Sequence, residues 1–253
     1  GATTARKREC IVAANQALDF LVEHRFVESF EGALYVTALG KGSVLAGFSP
    51  EQALEAEHYM SAAQRLLVLK SGIHPAFLCL PQNPRISVQW NLFSRVVNEL
   101  LKDQDFKMAL KHLGVDEAEV IRYNCTTPNA DRAAFYKRIY AAIALHNLCS
   151  EKPLAEVADM MGLRRGEIQA LQQEASTFCG MATIFCSKLK WLPLSSLLSS
   201  FHAKLGPRGG DGDLGPLLRL GMPSFRARAL FKSGICGPHD IVKSPPEKIA
   251  KLL

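Results

Sequence analysis

The run Arg165-Gly-Glu-Ile-Gln-Ala-Leu-Gln-Gln-Glu-Ala-Ser-Thr-Phe-Cys-Gly-Met-Ala-Thr-Ile-Phe-Cys-Ser-Lys-Leu-Lys-Trp191 decides how this chain is read. Ile168, Leu171, Ala175, Phe178, Ala182, Phe185 and Leu189 recur in steps of three and four, which predicts a helix of about seven turns with one apolar seam. The opposite stripe is Gln169, Gln173, Ser176, Gly180, Thr183, Ser187 and Lys190, with Gln172 and Thr177 beside it. It is polar yet almost uncharged. A solvated helix face normally carries Glu and Lys, whereas Ser, Thr and a central Gly cost helix stability. Short hydroxyls and amides suit a face along which a polymer backbone passes closely without being gripped by charge. The alternative is a helix buried on both sides among other helices.

Outward from this helix the chain reads as mainly α. Residues from about Ala5 to His24 place Ile11, Ala14, Leu18, Leu21 and Val22 at helical spacing. Arg25-Phe-Val-Glu-Ser-Phe30 and Ala33-Leu-Tyr-Val-Thr37 then flank Glu31-Gly32, the pattern of a tight hairpin. A helix followed by a two-stranded wing is the closing half of a winged-helix module. Ser49-Pro-Glu-Gln52 starts the next helix with a capping box and a proline in its first turn. Further helices are predicted at about 50–71, 88–102, 104–113, 116–123, 129–149, 153–161, 165–190 and 193–204. Gly206-Pro-Arg-Gly-Gly-Asp-Gly-Asp-Leu-Gly215 has five glycines in ten residues and reads as a linker. Beyond it, Pro216–Leu220, a turn at Gly221-Met-Pro-Ser224, Phe225–Ser233 and a last helix after Ser244-Pro-Pro-Glu247 form a helix-hairpin-helix pattern. The expected division is therefore a winged-helix remnant with a small β-hairpin (1–48), a multi-helix domain (49–205), a linker (206–215) and a helix-hairpin-helix domain (216–253).

Composition narrows the function classes. With 253 residues and 48% apolar content the chain can bury a core. It has no apolar run of 18 or more residues, so no membrane span is expected, and its polar start, Gly1-Ala-Thr-Thr-Ala-Arg-Lys-Arg8, is not a secretory signal. Seven cysteines without a CxxC pair point to reduced thiols in an intracellular protein. The net charge is +6, and residues 201–253 hold nine Lys/Arg against four Asp/Glu, so nearly all of the excess lies in the last fifth. Such an excess suits phosphate backbones. In the terminal unit, turn N–H groups with Arg226, Arg228 and Lys232 could hold phosphates; a protein-docking or structural module is the other reading.

No catalytic constellation emerges. Gly40-Lys41-Gly42-Ser43 lacks the spacing of a phosphate-binding loop, and Asp116-Glu-Ala-Glu119 follows Leu113-Gly-Val115 rather than a buried strand, so it reads as a helix N-cap with a capping box. His146 and Cys149, three apart, have no second metal-ligand pair, and the seven histidines form no nucleophilic set. Pro153-Leu-Ala-Glu-Val-Ala-Asp-Met-Met-Gly162-Leu-Arg-Arg-Gly-Glu-Ile168 has the Ala158 and Gly162 spacing of a helix-turn-helix, with Arg164 and Arg165 brought forward as phosphate ligands. The second helix, however, continues far beyond what a major groove needs.

Three stretches carry a resemblance: Leu34-Tyr-Val-Thr-Ala-Leu-Gly40, Arg164-Arg-Gly-Glu-Ile-Gln-Ala-Leu-Gln-Gln-Glu-Ala-Ser-Thr-Phe-Cys-Gly-Met-Ala182 and Arg226-Ala-Arg-Ala-Leu-Phe-Lys-Ser-Gly-Ile235. With the order of modules, they resemble the C-terminal half of superfamily 2 DNA helicases related to the helicase domain of DNA polymerase theta. The resemblance implies that the long helix is a ratchet helix crossing a channel for single-stranded DNA, with Gln169, Gln172, Gln173, Ser176, Thr177 and Phe178 toward the strand. Phe178 also belongs to the apolar seam, so its reading stays divided between stacking on a base and packing in the core. It further implies ATP-dependent 3′-to-5′ DNA unwinding or annealing in repair, single-stranded or forked DNA as partner, and a nuclear location. ATP and Mg2+ would belong to N-terminal motor lobes of the same protein, because no nucleotide motif lies in this sequence and none of the chain's own residues is expected to hold a cofactor. The hairpin turn departs from the family's Gly-apolar-Gly at Pro223, which removes one N–H donor. A stand-alone helix-turn-helix DNA binder and a helical protein-interaction scaffold remain the competing readings.

Overall fold

The protein is described by a computed structural model covering residues 2–66, 72–123, 125–150, 152–205, 215–218, 220–222 and 224–252. Its elements are α1 (Ala2–Glu23), β1 (Val27–Phe30), β2 (Ala33–Val36), α2 (Ala38–Ala46), α3 (Pro50–Leu66), α4 (Ile73–Leu78), α5 (Trp90–Leu100), α6 (Gln104–His112), α7 (Glu117–Arg122), α8 (Ala130–Cys149), α9 (Leu154–Met161), α10 (Arg165–Lys188), α11 (Leu192–Leu205), α12 (Gly215–Leu218), α13 (Ser224–Lys232), α14 (Pro238–Lys243) and α15 (Pro246–Leu252). The fold is mainly α with one antiparallel hairpin, as the sequence predicts. The chain forms two compact units, Gly1–Leu67 with Phe178–Ser199, and Val68–Thr177 with Ser200–Leu253. The helix α10 gives its first part to the second of these and its remainder to the first.

In the unit that begins the chain, β1 and β2 pair in the register Val27↔Val36 to Phe30↔Ala33 around the Glu31-Gly32 turn. Thr37 ends the hairpin and caps α2: its Oγ1 accepts from the Gly40 N–H at 3.1 Å and donates to the Arg25 carbonyl at 2.7 Å. A Cβ on Gly40 would lie 2.3 Å from the Phe26 carbonyl oxygen, so only glycine lets α2 approach the start of the hairpin this closely. Phe48 anchors the core, with ring centroids 5.2 Å from Phe178 and 5.4 Å from Phe185. Most of α1 is exposed, and only Leu18 and Leu21 of its predicted stripe are half-buried.

The other unit is built on aromatic packing. Helix α4 is buried at every position and meets α8, where the Arg138 guanidinium stacks 4.1 Å above the Phe77 ring and Phe135 meets its edge. Phe93 of α5 touches Trp90, Tyr123, Tyr136 and Tyr140, joining α5, the end of α7 and α8. Such edge-to-face contacts add to the burial of large apolar area.

The predicted capping box at Ser49 is present in full: the Gln52 N–H donates to Ser49 Oγ and the Ser49 N–H to Gln52 Oε1. The one predicted at Asp116 is half right. Asp116 caps α7, but Glu119 turns to α8, where it accepts from Arg132 at 2.7 Å and Tyr136 at 2.5 Å. Three helices go unpredicted. Two glycines hide α2, Pro75 hides α4 although a first helical turn tolerates it, and α14 has only six residues. The predicted end of α3 beyond Leu66 and the linker residues 206–214 lie outside the described residues.

Candidate nucleic-acid interface

The start of α10 is fixed by the turn that precedes it. Helix α9 ends at Gly162, whose φ of +57° is left-handed, and the Leu163 N–H reaches back to the Ala158 carbonyl at 3.0 Å. A Cβ on Gly162 would sit 2.6 Å from Leu92 Cδ1. Arg164 is the residue before the helix, and its N–H donates to the Glu167 carboxylate at 2.9 Å. The other Glu167 oxygen accepts from Ser87 Oγ at 2.7 Å. The Ser87 hydroxyl, and after it the Arg164 N–H, hold the Glu167 carboxyl below the usual carboxylate range. Buried Leu163 and Ile168 occupy the positions of a hydrophobic staple. The side chains of Arg164 and Arg165 are exposed at this end.

The predicted seam is the buried face. Ile168, Leu171, Ala175, Phe178, Ala182 and Phe185 are all buried. The open face is not quite the predicted polar stripe. Gln169, Gln173, Thr177 and Ser187 are exposed, but Ser176 is buried and Gly180 and Thr183 are half-buried. Gln172 is half-buried, and its Nε2 donates to the Leu205 carbonyl at 3.1 Å. The exposed positions are Arg165, Gly166, Gln169, Ala170, Gln173 and Thr177 in one unit and Ile184, Ser187 and Lys188 in the other.

The offset is arithmetic. Each residue advances about 100° around a helix, so the three-residue steps from Gln173 to Ser176 and from Gly180 to Thr183 carry the predicted stripe back toward the core. Four-residue steps, Gln169 to Gln173 to Thr177, stay on the surface. Two residues of the set that the resemblance turns toward the strand are buried here. Ser176, 8% exposed, and Phe178, 9% exposed, are core positions, and Phe178 packs on Phe48. Gly166 and Ala170 are open positions that helix arithmetic would have found. The observed face keeps the property that singled out the helix: from Gly166 to Thr177 it carries no charged side chain.

Around Leu217, Ala227, Leu230 and Ile235, with Met222, Phe231, Ile241 and Ile249 against them, helices α12 to α15 form a small core of their own. At the turn into α14, the Asp240 carboxylate accepts from the N–H groups of Cys236 at 2.9 Å and Gly237 at 3.1 Å. These donors serve the protein's own acid. Arg226 is exposed on α13. Arg228 and Lys232 share that helix, and their side chains, with Pro223, lie outside the described residues.

This layout is a long helix whose exposed positions from Gly166 to Thr177 are uncharged and whose start is set by a tight glycine turn. Residues 50–205 match the family described as the DNA_pol_Q helicase like region helical domain, and the chain belongs to that family. It is 33% identical over 251 residues to DNA polymerase theta of Drosophila melanogaster, covering 94% of this chain and 12% of the fly protein. It is 28% identical over 254 residues to DNA polymerase theta of Mus musculus, covering 94% of this chain and 10% of that protein. Over 226 residues it is 25% identical to Helicase POLQ-like of Caenorhabditis elegans, covering 88% and 24%. The chain thus spans about an eighth of the length of the fly relative. Among the described residues, no helix is long and apolar enough to cross a membrane.

Proposed function

We propose that this chain is the DNA-channel portion of an ATP-dependent DNA repair helicase of the polymerase-theta type. Residues 1–48 serve as its winged-helix remnant, 49–205 as its ratchet-type domain and 216–253 as its helix-hairpin-helix. The open face of α10 meets single-stranded DNA during translocation, and Arg164 and Arg165 contact phosphates at its start. Motor lobes elsewhere in the same protein bind ATP and Mg2+, and the protein acts in the nucleus. The observation that carries this reading is a 24-residue helix, inside the family-matched segment, whose exposed positions from Gly166 to Thr177 are uncharged where a solvated helix would carry charge. Gln169, Gln173 and Thr177 offer short polar contact that a sliding strand can make and break, holding a step while the motor resets.

Titrating the 253-residue chain with labelled single- and double-stranded DNA at several salt concentrations tests the reading. It predicts weak, sequence-indifferent binding with a preference for the single strand. A stand-alone helix-turn-helix protein, the reading favoured by the α9–Gly162–α10 turn, would instead separate its site from other duplex by about 4–10 kcal/mol. A protein scaffold would bind neither. Replacing Gln169 and Gln173 together by Glu sets two like charges against the phosphates. This is expected to weaken single-strand binding roughly tenfold, about 1.4 kcal/mol, while the fold stays intact.

A further inference from the structure

The segment 84–89 lies along the first turns of α10 as a strap that bends at Arg85, where the Ile86 N–H donates to the Pro84 carbonyl at 2.9 Å. Pro84 and Ile86 are buried, whereas Arg85, Ser87 and Gln89 are exposed. Three hydrogen bonds pin it: the Arg85 N–H to Glu174 at 3.1 Å, Ser87 Oγ to Glu167 at 2.7 Å, and Gln89 Nε2 to the Gly162 carbonyl at 3.3 Å. The partners fall in reverse order along the helix, so the strap runs antiparallel to it. Glu167 and Glu174 are seven residues apart and share one edge of α10. Residues three and four apart are neighbours on a helix surface, which sets Glu174 beside Ala170 and Thr177, both exposed. The strap therefore borders the open face.

Its one exposed cation is Arg85. Among the described residues its guanidinium forms no ion pair. A neutral face can let a strand slide but cannot attract it, whereas a guanidinium at the border supplies a planar, charge-assisted fork for phosphate oxygens. We infer that Arg85 contacts the phosphate backbone of the strand lying on α10, and that Glu174 is the positioning residue that holds Arg85 there. The inference rests on the proposed reading of the open face. Neither residue stands out in the sequence, since the loop carries no motif and Glu174 sits off the polar stripe.

The test uses the 253-residue chain and a labelled oligothymidylate titrated at several salt concentrations. A single-strand phosphate contact contributes about 0.7 to the slope of log affinity against log salt. Arg85→Gln is expected to lower that slope by about this amount and to weaken binding severalfold at low salt, while Arg85→Lys keeps the slope. In a Glu174→Ala background the effect of Arg85→Gln should shrink. If wild type binds and the Gln169, Gln173 double variant weakens it, yet Arg85→Gln leaves the slope unchanged, Arg85 is not a phosphate contact and the α10 reading stands. An undiminished Arg85 effect in the Glu174→Ala background overturns the positioning role. If the wild-type chain binds no oligothymidylate at low salt, the α10 reading fails first and takes this inference with it.

Discussion

Helices α8 and α10 are the two long helices that pass through the unit containing Val68–Thr177, and they treat polarity in opposite ways. In α8 the buried positions Tyr136, Arg138, Ile139, Tyr140, Ala141, Ala142, Ile143, Ala144, Leu145 and Asn147 go all round the helix. Three of its buried polar side chains are hydrogen-bonded: Asn147 Nδ2 donates to the Ile143 carbonyl at 2.8 Å, Tyr140 OH to the Met161 carbonyl, and Tyr136 OH to Glu119. Burial pushes the Tyr140 phenol up to about 12. This is what a helix packed on both sides looks like, with small and aromatic residues and hydrogen-bonded Tyr and Asn side chains. In α10 the glutamines at 169 and 173 reach solvent instead. The alternative reading of α10 as a doubly buried helix therefore holds for its middle, at Ser176, and not for its first three turns.

The same chemical change should have opposite outcomes on the two helices, and this is the largest effect expected. Ala142→Glu puts a charge where the side chain is 0% exposed, so that unit should fail to fold cooperatively in thermal melts followed by circular dichroism. Gln169→Glu on α10 should melt within about 0.5 kcal/mol of wild type.

A second difference lies in acid sensitivity. His74, in the helix against α8, is 4% exposed, and burial, with the charge of His112 a lesser cause, lowers its pKa to about 4. Burial likewise lowers His146 of α8, with Lys152 adding to it. The unfolded chain binds a proton near pH 6.5 that folded His74 refuses, so stability is full above that pH and falls between pH 6.5 and 4. The loss from His74 is about 3 kcal/mol. Urea melts across this range should show it, and His74→Gln should flatten the slope.

Smaller again, Gly162→Ala should cost about 2 kcal/mol, because the position is left-handed and the new Cβ meets Leu92. It should also weaken single-strand binding by misplacing the start of α10. A loss of stability with unchanged DNA affinity would separate the turn from the interface.

How much of this could be read beforehand depended on the range over which the forces act. The seam Ile168 to Phe185, the hairpin and the Ser49 cap were readable because each is set by spacing or by residues within one turn. Three-four steps alone set the stripe opposite the seam and ignore its offset around the axis, which is why they put Ser176 on the open side. Phe178 could be read either way until Phe48, far away in sequence, settled it as core. The Asp240 carboxylate filling the α13–α14 turn and the strap on Glu167 and Glu174 depend on tertiary placement. No local pattern announces them.

A photo-crosslinking benzophenone side chain placed at Gln173, and as a control at Lys111 on the exposed side of α6, puts the account to its plainest trial. With labelled single-stranded DNA bound to the folded chain, the account predicts a covalent adduct from position 173 and little or none from 111. An adduct from 111 but not from 173, at the same occupancy, would contradict the assignment of the α10 face to the strand.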